Sequence, residues 1–192
     1  MIKKLSEIII NLSRLKIFII FAAAFIVIEV FFTINLPALT ELTEGRSLLD
    51  MSIAYSPEFA YEHLESYQNA PEVYFRIRLA DFIFPAVYAF MLGILSTFVY
   101  RRKYDNPDNY RWILCVPFAA AFFDYAENII LTALFRLLPA RFNAAASVLN
   151  IATILKYGML ALSTLLIVTG ALSLLKGGDS GLIMGNKFKG KK

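Results

Sequence analysis

Residues 112–136 read WILCVPFAAAFFDYAENIILTALFR, an apolar run with Asp124, Glu127 and Asn128 at its middle. The run is long enough to cross a bilayer as a helix. Charged groups at hydrocarbon depth cost about 2.5–3.5 kcal/mol each on insertion scales unless they find partners. A chain retains them for helix packing, for a proton or ion path, or for a ligand site, and the function turns on which of these applies.

Composition agrees with a membrane setting. Only 18% of the 192 residues are charged, against roughly 25% in soluble domains, and 58% are hydrophobic. The apolar residues come in long blocks and not in alternation, which predicts one all-α membrane domain. The net charge of +4 does not point to nucleic acid, because the basic residues cluster at the chain ends and in one short loop. A single cysteine, Cys115, excludes an internal disulfide and a thiol redox pair, and reads as an apolar filler. A single histidine, His63, excludes bis-histidine haem and three-histidine zinc sites and reads as a solvated loop residue. No glycine-rich phosphate loop is present. Any chemistry therefore rests on carboxylates, Tyr, Lys and Arg, with no cofactor and no metal expected.

Four apolar blocks, at about 17–36, 79–100, 112–138 and 148–175, predict four spans. Before the first, IKKLSEIIINLSRLK at 2–16 repeats apolar residues at helical spacing among lysines, which predicts an interfacial amphipathic helix. No small-x-small site follows the first block, so a cleaved leader is not expected. Lys3, Lys4, Arg14 and Lys16, then Arg101–Lys103 with Arg111, then Lys176 and Lys187–Lys192 all fall on one side of a four-span topology. The positive-inside rule puts that side, and both termini, in the cytoplasm of a plasma or bacterial inner membrane. Tyr100, Tyr104, Tyr110 and Trp112 are expected in the aromatic belt on the same side. The acidic segment 38–77 is too long for a bare connection and predicts a partly helical outer cap, with Ser56 as N-cap and Pro57 in the first turn of a short helix. Arg76, Arg78, Arg136 and Arg141 would rim the outer mouth and pair with the acidic loop. Residues 1–176 are read as one transmembrane domain, and 177–192, rich in Gly and Lys, as a mobile basic tail.

Counting at about 1.5 Å per residue from the basic markers puts Glu29, Tyr88 and Asp124 at one depth. Glu127 lies slightly further out, and Asp81 and Lys156 near the outer boundary. Asp124, Glu127 and Asn128 share one helix face, as do Asp81, Pro85 and Tyr88. Pro85 frees a backbone carbonyl that a neighbour or water must satisfy. Lys156, the one cation deep in an apolar run, is expected to pair with these carboxyls, and Asn150 lies above it. Several carboxyls sharing one lysine cannot all be ionised in low dielectric.

The motifs around residues 48–160 resemble uncharacterised bacterial four-span membrane proteins, on Tyr74, Asp81, Pro85, Tyr88, Asp124, Glu127, Asn128 and Lys156. The resemblance implies a motif and carries no activity. The architecture is also loosely analogous to sterol isomerase-like bundles, although the histidine and tryptophan spacings of that family do not match.

The expectation is thus a four-transmembrane-helix bundle with an N-terminal amphipathic helix and an outer cap. Its expected role is binding, or metal-free acid/base modification, of a lipid-like or amphiphilic molecule in an outer-leaflet pocket. Asp124, Glu127 and Lys156 would carry chemistry, and Glu29, Asp81, Tyr88, Asn128 and Asn150 would bind the ligand. Membrane lipids, that small molecule and a second copy of the chain are the partners considered. A small proton- or cation-coupled transporter and a structural subunit with the cluster as packing glue are the alternatives.

Overall fold

The computed structural model describes residues 2–185, with side chains described through Leu175. Six α-helices account for most of it: α1 (Ile2–Leu12), α2 (Leu15–Leu42), α3 (Pro57–Ser66), α4 (Pro71–Tyr100), α5 (Arg111–Leu137) and α6 (Asn143–Gly185). Short 3-10 turns at Leu49–Met51, Tyr67–Asn69 and Pro107–Asn109 punctuate the connections. Four helices, α2, α4, α5 and α6, are long and apolar enough to cross a membrane. They run past the expected limits: α2 continues through Pro37 to Leu42, and α4 begins at Pro71. The expected tail boundary at 177 falls inside α6, and the expectation for residues 186–192 lies outside the described residues.

The four long helices do not close a symmetric ring. α4, α5 and α6 pack on one another, whereas α2 lies along α4 and has no extended packing with α6. At the end away from the cap, α1 packs on α4 and α5. Its Ile9 is fully buried with Val99 and Leu114, and Arg111 donates to Ser6 Oγ at 3.0 Å. Gly93 permits this close approach, since a Cβ there would lie 3.1 Å from Phe118 and 3.4 Å from Ile9. Tyr100 and Tyr110 are buried in this end of the bundle and not in a belt, with Tyr100 donating to the Leu166 carbonyl at 2.8 Å. Trp112 is exposed and Cys115 only half-buried.

Segment 43–70 folds as a cap with its own core. Ser56 accepts from the Phe59 amide at 3.3 Å and Pro57 occupies the first turn of α3, as the sequence predicts. Leu39, Leu49, Tyr61, Leu64 and Tyr67 are fully buried. The Tyr67 hydroxyl accepts from the Leu49 amide at 2.7 Å and donates to the Ser47 carbonyl at 2.9 Å, pinning the loop. His63 is not solvated. It is 6% exposed, lies against the Phe59 and Tyr67 rings, and its Nδ1–H donates to the Phe59 carbonyl at 3.0 Å. The reason is that α3 packs on the ends of α5 and α6, and His63 lies three residues from Ala60 and four from Tyr67, both fully buried.

Candidate functional site

Beneath the cap, helices α4, α5 and α6 turn their polar residues toward one another. Asp124, Glu127, Asn128, Leu131 and Leu134 are the buried stripe of α5, at the three- and four-residue spacing of a single helix face. Thr153 and Lys156 answer them from α6, and Arg78, Asp81 and Tyr88 from α4.

Two cations organise this cluster. Lys156 Nζ lies 2.5 Å from Glu127 Oε2, off the hydrogen-bond direction, and 3.8 Å from Asp124 Oδ1, an ion pair beyond hydrogen-bond distance. The Tyr88 hydroxyl donates to Asp124 Oδ2 at 3.1 Å, and Thr153 Oγ1 donates to Glu127 Oε1 at 2.6 Å. The second cation is Arg78, 4% exposed. Its Nη1 donates to Asp81 at 2.6 Å and to Asp50 at 3.3 Å, and its Nη2 donates to Asn128 Oδ1 at 2.6 Å. Asn128 Nδ2 in turn donates to the Asp81 carbonyl at 3.0 Å. That carbonyl sits four residues before Pro85, the position whose helical partner proline removes.

Arg78 and Asp50 are the members that the sequence reading missed. Arg78 looked like a rim residue, but α4 starts early enough to bring it under the cap. Asp50 reaches the cluster from the 3-10 turn, where the Tyr157 hydroxyl donates to its backbone carbonyl at 3.0 Å. The pairing of Arg78 with the loop is as expected; its burial is not. At the surface Arg141 pairs with Glu65 of α3.

A cavity of about 220 Å³ opens on the cluster where α2 and α6 leave a gap. Asp50, Asp81, Tyr88, Asp124, Lys156 and Tyr157 form its polar end, and Phe32, Leu36, Phe84 and Leu160 its apolar walls. Glu29, on the exposed face of α2, also lines it. Glu127 and Asn128 lie behind this surface, engaged with Lys156 and Arg78. Asn150 is placed apart from it. It staples the cap, accepting from the Tyr55 amide at 3.4 Å and donating to the Tyr55 carbonyl at 3.0 Å.

The Tyr55 hydroxyl lies 3.2 Å from Thr153 Oγ1. Either hydroxyl can donate in this pair, and Thr153 Oγ1 also has Glu127 Oε1 at 2.6 Å and the Leu149 carbonyl at 3.1 Å as acceptors. Burial pushes the Tyr55 phenol up to about 12, with Glu127 and Asp50 adding to the shift and the Thr153 bond and Lys156 opposing it. The phenol thus stays protonated across the physiological range, and a hydrogen-bonded chain runs from the cap through Thr153 to Glu127, which is ion-paired with Lys156.

Against known proteins, no family model matches this chain, no curated protein matches its sequence and no solved structure matches its fold.

Proposed function

We propose that this is a multi-pass membrane protein that holds an amphiphile, with the head group in the cavity beneath the cap and the apolar tail in the gap between α2 and α6. The basic residues orient it with both termini in the cytoplasm, and the cap then faces outward. Exposed Ile19, Ile26, Ile34, Leu165 and Val168 along α2 and α6 support the membrane setting, since so much apolar surface is unfavourable in water.

One observation carries the ligand reading. The cavity joins a charged end, with Asp124 and Lys156, to walls of Phe32, Leu36, Phe84 and Leu160 on the side where two helices do not close. An amphiphile presents the same division and reaches such a gap sideways through the bilayer. Asp124 is the group placed to exchange a proton with a bound head group. Lys156 would balance developing charge, and Tyr88 orients the Asp124 carboxylate. Transport across the membrane is less well supported, because the half of the bundle away from the cap is filled by Ile9, Ile94 and Leu114, all fully buried.

A structural role has its own support, since Lys156–Glu127 and Arg78–Asn128 both tie different helices together. Native mass spectrometry of protein purified in mild detergent separates the two readings. A discrete adduct on the wild-type protein, lost in folded Asp124→Asn and Glu127→Gln variants, is the expected result. Variants that are merely less stable, with no adduct on the wild type, would leave packing as the role.

A further inference from the structure

The cavity is richer in carboxyls than in cations. Among the described residues, the buried carboxyls Asp50, Asp81, Asp124 and Glu127 share the buried cations Arg78 and Lys156. Glu29 adds a further carboxyl at the mouth. The fully ionised cluster therefore carries excess negative charge in a low-dielectric setting, where a compensating charge has its largest effect.

The cations are also divided unevenly. Arg78 commits Nη1 to Asp81 and Asp50 and Nη2 to Asn128, and Lys156 sits closer to Glu127 than to Asp124. Among the described residues three carboxylate oxygens are buried with no hydrogen-bond donor; Glu127 Oε2 has Lys156 Nζ beside it at 2.5 Å, and the other two are Asp50 Oδ1 and Asp124 Oδ1. Both residues line the cavity, and they are 5% and 3% exposed. An ionised carboxylate only accepts, so the missing partner is a donor, and a positive donor relieves the charge excess without protonating a carboxyl.

Head-group classes separate on these two requirements. A hydroxyl brings a donor without charge. A carboxylate or phosphate adds to the excess. A quaternary ammonium brings charge without an N–H. A protonated primary amine brings both, as a compact charge with three donors. Phe84, Tyr88 and Tyr157 add aromatic surface that favours a cation. The cavity is also smaller than the roughly 300 Å³ at which whole-ligand pockets begin, which suits a small head with its tail left outside.

We infer that the cavity selects amphiphiles whose head group is a protonated primary amine, held by Asp50 and Asp124 with Glu29 at the mouth. The inference rests on the amphiphile reading above and narrows it to one head-group class.

The test uses the full chain in mild detergent with four probes of equal tail length: dodecylamine, dodecyltrimethylammonium, dodecanol and dodecanoate. Binding is followed by native mass spectrometry and by thermal shift. The expected result is a dodecylamine adduct with Kd at least about tenfold below that of each other probe, a difference of about 1.4 kcal/mol. Asp50→Asn and Asp124→Asn should weaken dodecylamine by more than about tenfold and dodecanol by little. Glu29 is exposed, so Glu29→Gln leaves packing intact; it should weaken dodecylamine by about threefold, less so at high salt. If another probe binds as tightly as dodecylamine, the amine inference falls while the amphiphile reading stands. If no probe binds, both fall. If the aspartate variants do not fold, Glu29→Gln decides, and an unchanged dodecylamine affinity overturns the inference.

Discussion

Asn128 supplies the hydrogen bond that Pro85 withholds. Its amide donates at 3.0 Å to the Asp81 carbonyl, which a proline four residues on cannot reach, while its own carbonyl accepts from Arg78 at 2.6 Å. One side chain of α5 thus repairs a break in α4 and positions the cation beneath the cap.

Asn128→Leu should therefore destabilise the protein by about 1.5–3 kcal/mol, because it strands a carbonyl and part of a guanidinium together. Pro85→Ala restores the backbone N–H and should recover part of that loss. Thermal unfolding of the two single variants and the double variant in one detergent measures the coupling, and strict additivity would show that the two residues act independently.

Lys156→Met should cost about 3–5 kcal/mol, since it leaves Glu127 and Asp124 buried without their cation. Glu127→Gln in the same background should return much of this by removing the uncompensated charge. Equal stability of the Lys156→Met single and double variants, measured by chemical denaturation, would contradict the pairing.

His63 gives the cap a pH dependence. Burial and the nearby Arg46 charge hold its imidazole below the ordinary value of 6.5, against the Phe59 hydrogen bond and Glu62. The unfolded chain therefore takes up a proton first as pH falls. Cap stability is complete above about 6.5 and declines as pH drops below it, by less than about 1.4 kcal/mol per pH unit, the limit for one proton. Tm profiles from pH 7.5 to about 5 should slope for the wild type and flatten for His63→Phe, which keeps the ring. Parallel profiles would rule His63 out as the source.

Gly170 marks where α6 comes against the end of α4 away from the cap. A Cβ there would lie 2.8 Å from Val99 and 3.0 Å from Tyr100, and the β-branched Val99 has little freedom to withdraw. Gly170→Ala should cost about 1–3 kcal/mol through overpacking, despite the higher helix propensity of alanine. Gly158→Ala in the same helix, where nothing lies within 4 Å, is the control and should be neutral or stabilising. A Tm for Gly170→Ala at or above that of the control would refute the close packing.

Much of the candidate site could be read from spacing. The face of α5 was evident from Asp124, Glu127 and Asn128, and the need for a donor near Asp81 from Pro85. Arg78 was not evident, because a basic residue near the start of an apolar block looks the same whether it faces solvent or lies beneath a cap. His63 is a related case: in a polar-looking segment, burial depends on what α3 packs against. Depth alone puts Asn150 near the cluster, yet its amide is engaged with Tyr55.

The sequence by itself determined four apolar helices long enough to span a membrane and the polar stripes they carry. Hydropathy and helical periodicity are local properties, so they survive without knowledge of neighbours. Only the tertiary structure decided that Asp50 joins Arg78 from a distant turn, that α2 stands off from α6, and that Asp50 and Asp124 each retain an unpartnered oxygen at a cavity. Those features depend on which faces meet across the fold, and that is set by packing between elements far apart in the chain.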